Sequence, residues 1–274
     1  MASILQQIVS EARSRIAMGT SASRRAELEK MAAEHRPRGF RRRLLAASSQ
    51  RPAVIAELKK ASPSRGLIRE HFQVADLARE MDAAGAAALS VLTEEKHFQG
   101  SLENLRIASY EVSIPCLRKD FIVDEIQLLE ARAFGADAAL LIVAALTDLE
   151  LKGLSRAATE VELDILCEIH DERELERALD AGFDIIGVNN RDLRSFEVTL
   201  ETSVRLNAKI PLTALRVAES GIHNGEDLAR LRSIGYQAFL IGESLMKQPS
   251  PGDALRKLLS DALRSNTKTE VTRQ

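Results

Sequence analysis

Four segments of this chain share one shape: the tail of an amphipathic stretch, a glycine, then a short unbroken apolar run. They read MDAAGAAALSVL, ARAFGADAALLIV, ALDAGFDIIGVNN and LRSIGYQAFLIG, with glycines at Gly85, Gly135, Gly182 and Gly235, about fifty residues apart. A glycine just past a helix end supplies the left-handed cap that lets the chain turn back. The runs that follow are continuously apolar rather than alternating, as expected of parallel strands covered on both faces. Midway between them lie four more short runs, AVIAEL, SIPCLRKDF, LDILCEIH and LRVAES. Interleaving the two sets predicts eight strands at a spacing of about 25 residues.

The stretches between the strands read as helices. DLAREMDAAG, EIQLLEARAFG, DERELERALDAG and NGEDLARLRSIG carry apolar residues at i, i+3, i+4 spacing and open on Asp, Glu or Asn, which suits a helix first turn. Eight strand–helix units predict an α/β fold, a (β/α)8 TIM barrel with a helical N-terminal extension. An open doubly wound sheet is the alternative; it lacks support because GxGxxG is missing and the eightfold repeat favours closure.

We expect three parts: residues 1–50 as the helical extension, 51–265 as the barrel, and 266–274 as a frayed polar tail. In the extension, Ile4, Leu5, Ile8, Val9, Ala12 and Ile16 form one apolar stripe behind Ser3, a fitting N-cap. A second helix is expected over Ser23–Ala33, and these helices would cover either end of the barrel. The basic run Arg36, Arg38, Arg41, Arg42 and Arg43 reads as a solvated helix face.

Composition narrows the function. Of 274 residues, 45% are hydrophobic and 28% charged, enough for a sizeable core. Thirty-eight basic residues against 40 acidic ones leave a net charge of −2, which gives no field for nucleic acid or an anionic membrane. Trp is absent and aromatics make up 4%, against base-stacking surfaces. The longest apolar run, Ala138 to Leu146, is far short of a membrane span, and the N-terminus lacks the apolar core of a signal peptide. Cys116 and Cys167 sit in apolar runs and read as reduced core thiols, so the expected location is the cytoplasm.

In a barrel of this kind, chemistry collects at the C-terminal ends of the strands. Residues two apart on a strand point the same way. The first strand ends with Glu57 and Lys59, the third with Lys119, and the fifth with Glu168. The sixth ends with Asn189 and Arg191, the seventh with Glu219 and Ser220, the eighth with Gly242 and Glu243. Singly, each has an ordinary structural reading, such as a snorkelling lysine or a Ser-Gly turn. Polar groups on six strand ends at one rim point to a site instead. ESGI and IGES place small residues and backbone N–H groups where barrels bind phosphate, and Ser62 adds a hydroxyl. Lysines and carboxylates sharing a confined mouth suit acid–base chemistry. His71, His97, His170 and His223 are spread over different loops, so no metal site is expected.

VIAELKKASPSRG, SVLTEEKHFQGS, PCLRKDFIVDEIQLLEARAFGADAALLI, LCEIHDEREL, IGVNNRDL, AESGI and FLIGESLM together resemble indole-3-glycerol-phosphate synthase, a family of tryptophan biosynthesis. The resemblance covers roughly Ser48 to Met246. It implies a carboxy-lyase that needs no cofactor and works on one small phosphorylated substrate, 1-(2-carboxyphenylamino)-1-deoxyribulose 5-phosphate. By that resemblance Lys119 is the general acid, Lys59 and Glu57 its partners, Glu168 the carboxylate that handles protons later, and Asn189 a positioning residue. Arg191, Glu219 and Ser220 would contact substrate, Phe98 and Phe121 would wall the anthranilate ring, and Ser62, Gly221, Gly242 and Glu243 would lie on the phosphate side.

Two residues depart from the family pattern: Arg65 stands where Lys is common, and Glu243 where many members have Ser. Monomer, homodimer and association with other tryptophan-pathway enzymes all stay open. The rival readings are a neighbouring phosphate-binding barrel such as phosphoribosylanthranilate isomerase, and a catalytically silent sugar-phosphate binder. The first needs no lysine pair on strands one and three, and the second usually loses an acid or base that is present here.

Overall fold

The fold is taken from a computed structural model, which describes residues 3–193 and 195–271. Among these, eight parallel strands close a barrel: β1 (Ala53–Leu58), β2 (Ala88–Leu92), β3 (Cys116–Lys119), β4 (Ala138–Ile142), β5 (Asp164–Ile169), β6 (Ile185–Asn189), β7 (Leu215–Glu219) and β8 (Ala238–Ile241). Each pairs with the next, and β8 returns to β1 with Ala238 opposite Ala53. Closure removes both sheet edges and rules out the open-sheet alternative. Ile55, Leu117, Leu140, Leu166, Val217 and Leu240 fill the interior, while the alternate residues pack outward on the helices. Gly85, Gly135, Gly182 and Gly235 all have positive φ, the left-handed turn their spacing predicts.

The outer ring is formed by α4 (Val74–Ala83), α5 (Leu102–Glu111), α6 (Glu125–Ala133), α7 (Asp148–Glu160), α8 (Glu172–Asp180), α9 (Glu201–Asn207), α10 (Gly225–Ser233) and α12 (Pro251–Val271), with the single turn α11 (Glu243–Met246) before the last. Asp171 and Asn224 accept N-cap hydrogen bonds at the starts of α8 and α10, as their sequence positions led us to expect, and Asp124, one residue ahead of the predicted stretch, caps α6. α4 differs: it starts behind Gln73, with no side-chain cap, two residues ahead of its first acid, Asp76. α12 runs to Val271, past Ser265 where fraying was expected; residues 272–274 of that tail lie outside the described residues. Among the described residues no helix is long and apolar enough to cross a membrane.

The extension serves both ends of the barrel. α1 (Ile4–Ala17) has a capping box, with Ser3 and Gln6 bonding each other's backbone N–H. It lies over the C-terminal mouth, where Ile4, Leu5 and Ile8 face the cavity. α2 (Ala22–Glu34), capped by Ser21, packs on α6 through Leu28 and Ala32. α3 (Phe40–Ser48) pushes Phe40 and Leu44, both without exposure, into the opposite end of the barrel.

The basic run is not a uniformly solvated face. Arg38 is bound to the buried Asp137 through its backbone N–H (2.7 Å) and Nε (2.9 Å), and its remaining nitrogens donate to Ser109, Val112 and Gly135. Arg41 donates its N–H to Asp164 and pairs with Asp184 at 2.9 Å. Asp137, Asp164 and Asp184 stand at the starts of β4, β5 and β6, so an acidic arc on the barrel floor captures two of the five arginines. Arg36, Arg42 and Arg43 remain exposed as expected. Cys116 and Cys167 are both buried free thiols, and burial pushes the Cys116 thiol up to about 12.

Burial alone would raise the Asp137 carboxyl, but hydrogen bonds from His35 and Arg38 and the Arg38 charge hold it below its ordinary value. A depressed carboxylate adds stability that is present above its unfolded pKa and lost as pH falls through the folded one. Asp137→Ala is therefore expected to cost about 3–5 kcal/mol in urea unfolding at pH 7, because it strands a buried guanidinium. The deficit should shrink below about pH 4, where the parent carboxyl protonates on unfolding. A loss under about 1 kcal/mol at pH 7 would mean that the floor is fastened elsewhere.

Candidate active site

The inward rows of five strands change character at the same height. Above Ile55, Leu117, Leu166, Gly187 and Val217, the next inward residues are Glu57, Lys119, Glu168, Asn189 and Glu219. The strand period alone puts them together, because each lies two residues beyond an interior neighbour. Register sets Asn189 opposite Glu219 and Glu168 opposite Gly187, and the stagger of the closed barrel brings Glu57, Lys119, Glu168 and Glu219, from alternate strands, around one mouth.

Lys119 stands at the centre. Its Nζ lies 3.2 Å from Glu168 Oε2 and 3.3 Å from Glu219 Oε2. Burial works against its charge, but the fields of Glu219, Glu168 and Glu57 outweigh burial and raise its pKa above the ordinary lysine value. The two carboxylates divide. Burial would raise Glu168, yet Lys119, His170 and a hydrogen bond from Asn189 bring it below its usual value. Burial and the repulsion of Glu168 lift Glu219 to about 7 in spite of Lys119. Glu219 Oε1 is buried without a hydrogen bond. The site therefore holds a fixed ammonium, a fixed carboxylate and a carboxyl poised near neutrality, the separation acid–base chemistry needs.

A second ion pair lies beside the first. Lys59 Nζ is 2.5 Å from Glu57 Oε2, and both side chains turn into the mouth. Two glycines make room for these acids. A Cβ on Gly242 would lie 2.2 Å from Glu57 Oε2, and one on Gly187 would lie 2.3 Å from Glu219 Oε1.

The rim above carries donors. Ser220 adopts φ +64°, a conformation that costs a non-glycine residue on the order of 1 kcal/mol. In that pose its Oγ donates to Asn189 Oδ1 at 2.8 Å, which also accepts the Arg191 N–H at 3.0 Å. With its oxygen doubly occupied, Asn189 can only donate inward. Ser62 Oγ, at the end of the short ribbon Ala61–Ser62/Gly66–Leu67, is buried and lacks a protein partner. Glu243 gathers cations: Lys247 at 2.5 Å, Arg65 at 3.2 Å and Arg191 at 3.7 Å.

These groups line one cavity of about 450 Å³. Its opposite wall is apolar. Phe98 and Phe121 stand with ring centroids 6.0 Å apart at a 40° tilt, and Leu92, Leu140 and Ile142 continue the wall. Phe98 is fixed by Glu94, whose carboxylate accepts the N–H groups of Lys96, His97 and Phe98. Glu11 of α1 binds Lys96 at 2.6 Å and His97 at 3.1 Å, which ties the roof helix to that loop. Among the described residues no three His, Cys, Asp or Glu side chains cluster as a metal site requires.

Comparison with known proteins shows the family. The profile of indole-3-glycerol phosphate synthase matches residues 5–258. The chain belongs to the indole-3-glycerol phosphate synthase family. It is 60% identical over 259 residues to the indole-3-glycerol phosphate synthase of Koribacter versatilis, covering 94% of this chain and all of that one. It is 47% identical over 263 residues to that of Acidithiobacillus ferrooxidans, with 95% and 100% coverage. Solved structures share the barrel at low identity. KGPDC from Streptococcus mutans superposes with a TM-score of 0.61 at 14% identity, over 78% of this chain and 99% of that one. The 3-hexulose-6-phosphate synthase from Salmonella typhimurium gives 0.63 at 14%, over 77% and 99%. At that identity the likeness speaks for the fold alone. Family membership sets aside the isomerase rival.

All fourteen residues singled out from the sequence line this one cavity. Two have neighbours the sequence did not foretell: Gly242 is needed where Glu57 approaches, and Arg191 faces Glu243. Sequence reasoning missed the α1 face in the roof, the loop residues Leu193, Phe196 and Val198, and His170 behind Glu168. The loop had a usable signal, three apolar residues in a polar stretch directly after Asn189 and Arg191. Gly242→Ala is expected to cost about 1–3 kcal/mol in urea unfolding through this overpacking. In a Glu57→Gly background, which removes the Cβ 2.9 Å away as well as the carboxylate, the same substitution should cost much less. A neutral Gly242→Ala, or no relief in the double variant, would show that close approach is not why glycine stands there.

Proposed function

We propose that this protein acts as an indole-3-glycerol-phosphate synthase, a carboxy-lyase that closes, decarboxylates and dehydrates 1-(2-carboxyphenylamino)-1-deoxyribulose 5-phosphate. The products are indole-3-glycerol phosphate, CO2 and water. The observation that carries the reading is Lys119 Nζ set between Glu168 and Glu219 in a cavity with one aromatic and one polar wall. Family membership supports the activity; the roles of individual residues are our inference from the geometry. A biosynthetic reaction on a phosphorylated metabolite fits a cytoplasmic location.

The substrate has three handles. Its phosphate meets the Ser62 hydroxyl and the backbone of the Gly221 and Gly242–Glu243 turns, with Arg65 alongside. Its anthranilate ring lies against Phe98 and Phe121, and its carboxylate is met by Lys59 or Arg191. Held at both ends, the flexible ribulose chain folds into a ring-closing pose, which removes much of the entropic barrier.

Chemistry follows from which groups carry protons. Lys119, kept as ammonium, donates to the ketone oxygen while the ring carbon bearing the carboxylate attacks the ketone carbon. Loss of CO2 restores the aromatic ring. Lys59 then protonates the hydroxyl group, which leaves as water. Glu168, kept as carboxylate, removes the remaining ring proton and completes the indole. The arylamine nitrogen supplies the electron pair for ring closure. Asn189 and Ser220 keep Glu168 and the rim aligned.

A proton-transfer group of this kind contributes about 10²–10⁴ in rate. Lys119→Ala and Glu168→Gln are each expected to lower kcat by that factor with circular dichroism unchanged. Turnover is read from indole fluorescence after mixing purified protein with the substrate. Near-parental kcat in either variant would strike that residue from the scheme.

A further inference from the structure

The phosphate end of the cavity is assembled from three separate pieces of chain: the ribbon Ala61–Ser62/Gly66–Leu67 after β1, the Ser220–Gly221 turn after β7, and the Gly242–Glu243 turn after β8. Donors on separate pieces can meet one phosphate together only if the spacing between the pieces is fixed. The β7 and β8 pieces are joined directly. Ser244 Oγ donates to Ile222 O at 3.2 Å, and the Leu245 and Met246 N–H groups close α11 onto Gly242 O at 3.0 and 2.9 Å. The ribbon is tied to α11 at two points, its tip and its base.

At the tip, Arg65 meets Glu243 at 3.2 Å, but the Arg65 side chain is 59% exposed and Glu243 is shared with Lys247. An exposed ion pair of that kind is weak and easily exchanged. At the base stands Arg69. Its backbone N–H donates to Lys60 O at 3.1 Å, beside the Ile68 N–H at 2.8 Å on the same oxygen. Its Nε donates to His71 O at 3.2 Å, which turns the guanidinium toward α11. There Nη1 donates to Met246 O at 3.1 Å and to Gln248 O at 2.8 Å, and Nη2 to Pro249 O at 3.4 Å. These oxygens lie where α11 ends, and a helix end leaves its last carbonyls without partners in the helix. A planar fork serves several such carbonyls at once, which a lysine ammonium in its place would do less well.

We propose that Arg69 is a positioning residue for the substrate phosphate: it fixes the Ser62 ribbon against the α11 turn, so that the Ser62 hydroxyl and the Gly242–Glu243 backbone meet one phosphate together. Arg69 stands outside the cavity lining and does not touch substrate. It acts through Lys60 O on one side and through the Met246, Gln248 and Pro249 oxygens on the other. The two ties of the ribbon therefore differ in kind. Arg65 at the tip can leave Glu243 for an arriving phosphate. The base stays fastened, because its acceptors are main-chain oxygens for which an anion does not compete. The proposal rests on the reading that the phosphate lies between the ribbon and the α11 turn.

The test measures KM, kcat and the inhibition constants of inorganic phosphate and of the dephosphorylated substrate in Arg69→Ala, Arg69→Lys and Glu80→Ala, with thermal melts to confirm folding. Glu80 is the control. Its carboxylate accepts Ser250 Oγ at 2.9 Å and the Gly252 N–H at 2.7 Å, so it steadies the neighbouring start of α12 without joining the ribbon to α11. Arg69→Ala is expected to raise KM and the phosphate inhibition constant about tenfold, with kcat within about threefold of the parent, the pattern of binding lost equally from ground and transition states. Binding of the dephosphorylated substrate should not change. Arg69→Lys should fall between Arg69→Ala and the parent, and it carries the test alone if Arg69→Ala does not fold. Glu80→Ala should lower the melting temperature and leave KM and phosphate inhibition within about twofold. Unchanged phosphate inhibition in the folded Arg69 variants overturns the proposal. So does an equal loss for the dephosphorylated substrate, or an equal loss in Glu80→Ala, either of which would make Arg69 a general brace of the fold. Failure of the underlying phosphate reading is separately visible, because inorganic phosphate would then not compete with substrate in the parent and Ser62→Ala would leave KM unchanged.

Discussion

A charged ammonium held inside a closed barrel is the constraint on which the rest depends. Removing an ammonium from water costs several kcal/mol unless opposite charge stands within contact distance. Lys119 meets that requirement with Glu168 and Glu219, from β5 and β7, and more distantly Glu57 from β1. No local segment could supply these partners, because they come from strands roughly 50 to 100 residues away in the chain. Only closure, with the stagger of its strands, brings them to one mouth. The cost appears elsewhere as restricted residue choice: glycine at 187 and 242, and a strained backbone at Ser220.

The two ends of the barrel answer different demands with similar residues. On the floor, Asp137 and Arg38 are completely satisfied by each other and by neighbouring backbone, so they add rigidity. At and behind the mouth, several buried polar atoms are unsatisfied. Glu219 Oε1, His170 Nε2 and Ser62 Oγ all lack hydrogen bonds from protein. Of these, Glu219 and Ser62 line the cavity where a reactant must be held. The N-terminal extension joins both ends, with α3 wedged into the floor and α1 laid over the mouth.

Much of this was legible in the sequence because it follows from short-range periodicity. The Gly85, Gly135, Gly182 and Gly235 punctuation gave the strand count, and the two-residue period of strands gave the inward row of Glu57, Lys119, Glu168, Asn189 and Glu219. What escaped was decided by contacts distant in sequence. The Arg38 side chain looks like any other basic residue in its run until Asp137, 99 residues on, is brought beneath it. α1 reads as an ordinary amphipathic helix, and nothing local says that its stripe roofs a cavity. His170 was weighed only as a metal ligand and set aside, and its place behind Glu168 depends on Glu174 one helical turn later.

The charge state of Lys119 tests the account most directly. Nitrogen-15 NMR of lysine-labelled protein, with the Lys119 signal assigned by its disappearance in Lys119→Arg, follows that ammonium through a pH titration. The account predicts a signal that remains an ammonium at pH 10.5, beyond the ordinary lysine value of about 10.4 at which exposed lysines lose their protons. Deprotonation below about pH 9 would contradict it, since burial would then have prevailed over the carboxylates.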